Sequence, residues 1–281
     1  MVYATLRMVL VFIWPKQFVS IEGKNSKLRP ITSGVPQGSI LGPLIFIIYI
    51  KNMRFAIKNS TVFHFADDTN LLYTGKCRKT LRKEVNDDLN NLFVWLCSNR
   101  LSLNVAKTEF IIFRPPRKNL SERITLKLNG CTIFESPKVK YLGIILDSRL
   151  TWKHHIVELG KKLNRAVGML YKMRDMNCDQ RILISLYYSL FQSHLSYGIM
   201  AWGVSKGIDK IFLTQKRAIR AIFGLKFSKS TTDAFSTLKI LTVQFINYTS
   251  TPVLVLCGTF ITVIFQNTFL NFALKLIIFI P

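Results

Sequence analysis

Up to about Leu150 stretches where the apolar positions alternate or come in short runs are mixed with one where they recur every three or four residues, and from Trp152 to Phe223 the three-to-four spacing prevails. The first pattern belongs to strands and the second to helices. Phe18-Val19-Ser20-Ile21-Glu22 predicts a strand, with a polar turn over Gly23–Ser26. Ser33–Ser39, with Gly34, Pro36 and Gly38, predicts a loop, and the apolar run Leu41–Ile50 behind it a buried helix. Thr61–Ala66 and Leu71–Tyr73 read as a hairpin, with Asp67-Asp68-Thr69-Asn70 between the strands. Leu81, Val85, Leu89, Leu92, Phe93 and Leu96 share one face of a helix whose other face carries Arg82, Lys83, Asp87 and Asp88. A strand at Glu109–Phe113 is followed by Pro115-Pro116, which breaks the chain. Ile124, Leu126 and Leu128 then alternate up to Asn129-Gly130, a favoured two-residue hairpin turn, and Thr132-Ile133-Phe134 returns. Tyr141–Leu146 predicts a further apolar strand. Trp152, Ile156, Leu159, Leu163, Val167 and Leu170 form a helical stripe, and more helices are expected at Arg181–Gln192 and Lys206–Phe223. The pattern therefore gives a mixed α+β region up to about Leu150 and an all-helical region after it.

Charge sharpens this division. Of the net charge of +24, all but one unit lies in the first 239 residues, and every acidic residue precedes Lys239. With 49% hydrophobic and 12% aromatic residues this basic part can bury a core, which excludes wholesale disorder. An excess of Lys and Arg this large makes a polyanion the expected partner, either nucleic acid or an anionic membrane surface. The five cysteines are odd in number and widely spaced, and no Cys/His pair has zinc spacing; they are expected to be buried thiols in a reducing compartment. His154 and His155 are neighbours, which on a helix point about 100° apart and cannot clamp one metal.

The two ends stand apart. Residues 1–15 hold a short apolar run, Met8–Trp14, stopped by Pro15 with no small-residue cleavage site behind it, and are expected to form a buried segment rather than a signal peptide. Residues 240–281 form a hydrophobic tail without a charge from Ile240 to Leu274. Val253–Phe265 and Phe269–Ile280 are separated by Gln266, Asn267 and Thr268, whereas a membrane helix needs ~20 mostly apolar residues. Two readings stay open: a membrane-associated tail through residues 253–280, or an abnormal tail never selected to fold.

The candidate chemistry sits at Asp67-Asp68. Two adjacent carboxylates between apolar strands repel one another and resist desolvation unless a cation neutralises them. A hard cation such as Mg²⁺ suits such oxygens, while a solvated Asp-Asp turn is the plainer alternative. The pair does not stand alone. Ser33-Gly34-Val35-Pro36-Gln37-Gly38-Ser39-Ile40-Leu41-Gly42-Pro43 and Phe65-Ala66-Asp67-Asp68-Thr69-Asn70 resemble the reverse transcriptases of non-LTR retrotransposons, especially the Jockey-like elements. The resemblance continues in order through Leu101-Ser102-Leu103-Asn104 with Lys107-Thr108, Tyr141-Leu142-Gly143-Ile144, and Leu150-Thr151-Trp152-Lys153-His154-His155-Ile156.

The resemblance implies an α+β fold: a partial polymerase palm over residues 16–150 and a helical thumb over 151–239. It implies that Asp67 and Asp68 bind Mg²⁺, with Mn²⁺ as an alternative, for two-metal nucleotidyl transfer. Pro36, Gln37 and Gly38 would lie against the incoming deoxynucleotide triphosphate and the RNA template, where glycine permits close backbone approach. Lys107 matches a family lysine near the triphosphate, with an ordinary surface lysine as the alternative. Tyr141, Leu142 and Gly143 match the element that holds the end of the DNA primer, with a plain core strand and turn as the alternative.

Three departures qualify that picture. The only acidic residue ahead of Asp67 is Glu22, on a strand matching a family segment that follows the first catalytic aspartate. Lys51-Asn52 stands where family sequences carry Asn-Asp, and the uncharged tail has no family counterpart. The expectation is an N-terminally truncated, intracellular (nuclear or cytoplasmic) reverse transcriptase fragment, inactive as it stands. A non-catalytic nucleic-acid-binding remnant and a membrane-attached basic protein are the competing readings.

Overall fold

A computed structural model of the chain describes residues 16–30, 40–65, 68–75, 77–114, 125–246 and 273–279. It is a mixed α+β structure of small hairpins and several helices, arranged as two compact units. One draws on Met1–Thr108 and Thr125–Ile133, the other on Glu109–Ile124 and Phe134–Gln266. The expected Pro36, Gln37, Gly38 and Asp67, the N-terminal segment and Val253–Phe265 lie outside the described residues.

In the first unit, β1 (Lys16–Gln17) pairs with β4 (Arg29–Pro30) and β2 (Ser20–Ile21) with β3 (Lys24–Asn25). Ser26 ties the two halves: its N–H donates to the Val19 carbonyl and its Oγ accepts from the Val19 N–H, each at 2.9 Å. Glu22 is not on a strand, contrary to expectation. With Gly23 it forms the two-residue turn, at φ 49° and 79°, the paired left-handed geometry that closes a tight hairpin.

Helix α1 (Leu41–Ile50) is helical as expected but not buried as a whole. Ile50 is in the core while Leu44, Ile47 and Ile48 are exposed. A run apolar on every side carries no signal of which face turns inward. The Tyr49 hydroxyl donates to the Asn99 carbonyl. That carbonyl lies just beyond α2 (Arg78–Ser98).

Strands β5 (Thr61–Phe65) and β6 (Asp68–Thr74) form the expected antiparallel hairpin, with Phe65 opposite Asp68 and Thr61 opposite Leu72. Leu81, Val85, Leu89, Leu92 and Leu96 of α2 are buried, as their spacing predicts. Asp88 is the exception to the polar face: it is wholly buried. Its Oδ1 accepts from the Lys58 N–H and the Asn59 Nδ2, and its Oδ2 from the Asn59 N–H, each at 3.0 Å. Oδ2 also accepts from the Tyr73 hydroxyl at 3.3 Å. Burial first, and the nearby Asp88 charge second, push the Tyr73 phenol well above its ordinary pKa, so it stays a donor. The hairpin β8 (Thr125–Leu128) to β9 (Cys131–Phe134), turning at Asn129-Gly130, is also as expected. The Lys127 N–H donates to Asn86 Oδ1 of α2 at 2.9 Å.

In the second unit, Ile111 and Phe113 of β7 (Glu109–Phe113) pack with Val139 and Leu146. The expected single strand at Tyr141–Leu146 is instead a hairpin: β10 (Lys138–Tyr141) turns at Leu142-Gly143 into β11 (Ile144–Asp147). The remaining core is helical. It joins α3 (Lys153–Asp175), α4 (Gln180–Leu186), a π-helical turn at Tyr187–Gln192, α5 (Ser193–Ser196), α6 (Ile199–Trp202), α7 (Ile208–Phe223) and α8 (Thr232–Leu238). Leu163, Val167, Leu170, Phe191, Trp202 and Ile219 are among its buried side chains. Gln215 is buried here with its amide fully used: Nε2 donates to the Tyr187 hydroxyl and the Leu241 carbonyl, and Oε1 accepts from the Val243 N–H. Strand β12 (Ala273–Phe279) falls within the tail's second apolar run, and no helix among the described residues is long and apolar enough to cross a membrane.

The described cysteines correct the expectation of buried thiols. Cys77, Cys97 and Cys131 are exposed and Cys178 is half-buried. Cys77 caps the start of α2 and Cys131 opens β9, places chosen by the chain's turns rather than by thiol hydrophobicity.

His155 lies under this helical core, its ring 5.8 Å from that of Trp202. Its Nδ1 accepts from the Ile145 N–H, and Nε2 is buried without a partner among the described residues. Burial, with a smaller contribution from Lys162, lowers its pKa from 6.5 to about 4. The folded state thus binds this proton less readily than the unfolded state. The contribution of the neutral ring should be full above pH 6.5 and be lost as the pH falls from 6.5 toward 4, by on the order of 3 kcal/mol. Urea unfolding at pH 7 and pH 4.5 should show this loss, and His155→Phe should reduce it. Equal pH dependence in the variant would assign the loss to other groups.

Candidate active site

The hairpin places the motif's second carboxylate at its turn end. Asp68 is the first residue of β6, half-buried and paired with Phe65 across the two residues of the turn. Directly inward, His64 pairs with Thr69, and His64 Nδ1 lies 3.1 Å from Thr69 Oγ1. Asn70, on the same side of the strand as Asp68 by the strand period, is buried, and neither amide atom has a partner among the described residues. The hairpin base is held by the Tyr73–Asp88 bond, so Asp68 sits on an anchored stem.

The donor chemistry of this tip suits one hard cation. Carboxylate oxygens are what Mg²⁺ prefers, and Asp67 and Asp68 supply them side by side in sequence. Among the described residues no three His, Cys, Asp or Glu side chains converge to hold a metal. Two adjacent carboxylates are a small set for two ions.

Lys107 ends a short 3₁₀ turn, Val105–Lys107, in the first unit, and its side chain is exposed. Asn104 sets this turn: its Oδ1 accepts from the Lys107 N–H at 3.2 Å, and its carbonyl accepts from the Thr108 hydroxyl at 3.0 Å. The Leu-Asn-x-x-Lys-Thr spacing thus has a local reason, since asparagine closes the turn that presents the lysine.

Tyr141, Leu142 and Gly143 lie in the second unit, at the end of β10 and in its turn. Leu142 has φ 43° and Gly143 φ 81°. Tyr197 meets this turn. Its hydroxyl donates to the Leu142 carbonyl, and a Cβ placed on Gly143 would lie 3.3 Å from its ring. Burial raises the Tyr197 phenol above its ordinary pKa.

Two residues that the motifs did not single out shape this region, Tyr197 and Asp147. Asp147 Oδ1 accepts from the N–H of Arg149 and of Thr151, and Oδ2 from the N–H of Trp152 and the Thr151 hydroxyl, all within 3.2 Å. Burial alone would raise its pKa, but the N–H groups of Thr151, Trp152 and Arg149 overcome it and the pKa is lowered. This carboxylate holds Leu150 and Trp152 at φ 50° and 62°, turning the chain into α3. An aspartate four residues ahead of a threonine at a helix start was the available signal. Tyr197 left none, because its contact spans more than fifty residues of sequence.

Comparisons with known proteins bear directly on this arrangement. Residues 3–146 match the family model described as reverse transcriptase (RNA-dependent DNA polymerase). The chain is 26% identical over 233 residues to the RNA-directed DNA polymerase from mobile element jockey of Drosophila melanogaster, covering 79% of this chain and 25% of that protein. It is 27% identical over 238 residues to the probable RNA-directed DNA polymerase from transposon BS of the same fly, covering 80% and 26%. Against the retrovirus-related Pol polyprotein from type-1 retrotransposable element R1 of Bradysia coprophila it is 28% identical over 206 residues, covering 68% and 20%. The chain thus spans about a quarter of the length of the first curated relatives it matches. No solved structure matches it. With a family match across half its length, and with relatives among the fly jockey-type elements, the chain belongs to the reverse transcriptase family and is distantly related to the enzymes of Jockey-like non-LTR retrotransposons.

Proposed function

We propose that this chain is the palm and thumb portion of an RNA-directed DNA polymerase of a non-LTR retrotransposon, with the palm over 16–150 and the thumb over 151–239. The observation that carries the reading is the β5–β6 hairpin, whose pairing of Phe65 with Asp68 brackets the Ala66-Asp67 step at its tip. Asp67 and Asp68 would hold Mg²⁺, or Mn²⁺ in its place. Bound there, the metal supplies activation of the primer 3′ hydroxyl and neutralisation of the departing pyrophosphate. The chain's own residues then do the positioning. The exposed Lys107 ammonium would pair with triphosphate oxygens, offsetting charge that grows as the bond to the leaving group breaks. Pro36, Gln37 and Gly38 would pack against the nucleotide and template through backbone approach. Leu142 and Gly143, in a turn with both φ angles positive, present backbone at a hairpin tip, and a tip of this kind suits contact with the primer's sugar–phosphate end. The partners in this reading are an RNA template, a DNA primer and deoxynucleotide triphosphates.

Nucleic-acid binding follows from the basic surface. On α3 the side chains of Lys153, Lys161, Lys162, Arg165 and Lys172 are exposed while the opposite stripe is buried. Binding of a primer–template should therefore run mainly through phosphates, with a log–log salt slope of about −0.7 to −0.9 per phosphate neutralised. Fluorescence anisotropy from 50 to 200 mM salt is the test. A fall in affinity on the order of 10³-fold is expected for about six such contacts. Affinity independent of salt would remove the polyanion reading.

A further inference from the structure

We infer that Tyr197 is a positioning residue for recognition of a nucleic-acid strand end, acting through the Leu142-Gly143 turn. The inference rests on the reading of that turn as the element that holds the primer end. Four observations within the second unit meet at this point. The Tyr197 hydroxyl donates to the Leu142 carbonyl. Its ring lies where any side chain on Gly143 would intrude, with Cε1 3.3 Å and the hydroxyl oxygen 3.5 Å from the added Cβ. The next residue, Gly198, sits at φ 60°, and a Cβ there would come within 2.4 Å of Ile144 Cδ1. The Tyr197 carbonyl in turn accepts from Trp202 Nε1 at 3.0 Å, and Trp202 is wholly buried.

These contacts interlock. Glycine at 143 lets the ring approach closely, and glycine at 198 leaves the space that Ile144 occupies. A contact from outside the hairpin adds to the strand pairing that holds the two-residue turn. Tyr197 supplies that contact, and Trp202 anchors Tyr197 to the helical core. The hydroxyl engages the carbonyl at the tip itself, so the orientation of the Leu142-Gly143 peptide groups, which a bound strand would meet, is set by a residue of the turn between α5 and α6, distant in sequence. An angular error at such a tip is felt at the ligand, where hydrogen-bond geometry tolerates little misalignment.

The test compares binding of a labelled DNA primer annealed to RNA, with a recessed 3′ end, against a blunt duplex of the same length. Tyr197→Phe keeps the ring and removes only the hydroxyl. Gly143→Asn keeps the left-handed conformation accessible but drives a Cβ toward the Tyr197 ring. Tyr197→Phe should reduce the preference for the recessed end about three- to tenfold, leave blunt-duplex binding within about twofold, and leave the melting temperature near that of the parent. The amide resonance of Gly143 should shift in the same variant. If Tyr197→Phe leaves the preference unchanged while Gly143→Asn lowers it, the role of Tyr197 is overturned and the primer-end reading of the turn stands. If neither variant changes the preference, the reading of the turn itself is wrong and the role of Tyr197 falls with it.

Discussion

The purified 281-residue chain is expected to extend no primer on an RNA template, with Mg²⁺ or with Mn²⁺. Two-metal transfer requires ions held ~3.5–4 Å apart by ligands from more than one strand, and Asp67 and Asp68 are neighbours on one hairpin. The only acidic residue ahead of them is Glu22. Its place in the fold argues against a substitute role. Glu22 occupies a tight turn between β2 and β3 at φ 49°, exposed, at the tip of a narrow ribbon. A carboxylate that must face a metal is better held on the body of a strand, where neighbouring pairs fix its direction. Removing a single group that stabilises transition-state charge typically costs ~10²–10³ in rate, and a missing bridging ligand should cost more. Primer extension by the unmutated chain is to be compared with the double variant Asp67→Ala, Asp68→Ala. Extension by the first and not by the second would overturn the expectation and make Glu22 the next residue to replace.

Replacing Asp88 should be the most damaging single change to the fold. Alanine there removes the acceptor for the Lys58 and Asn59 N–H groups, the Asn59 amide and the Tyr73 hydroxyl in one step. The buried Tyr73 hydroxyl left unpaired costs about 1–3 kcal/mol, and the Lys58 and Asn59 donors, on exposed residues that water can reach, add less, so a total loss on the order of 3 kcal/mol is expected. Asp88→Asn keeps one acceptor oxygen but turns an NH₂ group toward donors, and should fall between alanine and the parent. Asp87→Ala, one residue away and exposed, should change stability by no more than about 0.5 kcal/mol. Urea unfolding of the three variants decides the matter: similar midpoints for Asp87→Ala and Asp88→Ala would mean the buried network is not holding the hairpin stem to α2.

The contrast between those two aspartates shows where sequence reading stops. Helices α2 and α3 were legible because their leucines and valines recur at helical spacing and bury the stripe that spacing defines. Asp88 falls beside that stripe, and nothing in a polar letter shows that four donors wait for it. The β5–β6 and β8–β9 hairpins were legible from alternation and from Asn129-Gly130. The turn at Leu142-Gly143 was hidden because Leu142 looks like a strand residue, although both positions take the positive φ of a two-residue hairpin turn. In α1 the failure has another cause, since ten nearly all apolar residues predict burial everywhere and discriminate no face. The candidate site was legible as motifs in order, a signal that survives because each motif is local. Tyr197 and Asp147, which shape the proposed primer-holding region, act across sequence distance or through backbone N–H groups, and neither kind of contact leaves a periodic trace.

The central claim is that the Asp67–Asp68 hairpin is the metal-holding part of a reverse transcriptase palm, and titration with Mn²⁺ followed by electron paramagnetic resonance tests it most directly. The account predicts that the unmutated chain takes up Mn²⁺ at a site that Mg²⁺ competes for, that the Asp67→Ala, Asp68→Ala variant loses this site, and that Asp87→Ala keeps it. Uptake of Mn²⁺ by the double variant at the parent's level, or none by the parent, would contradict it.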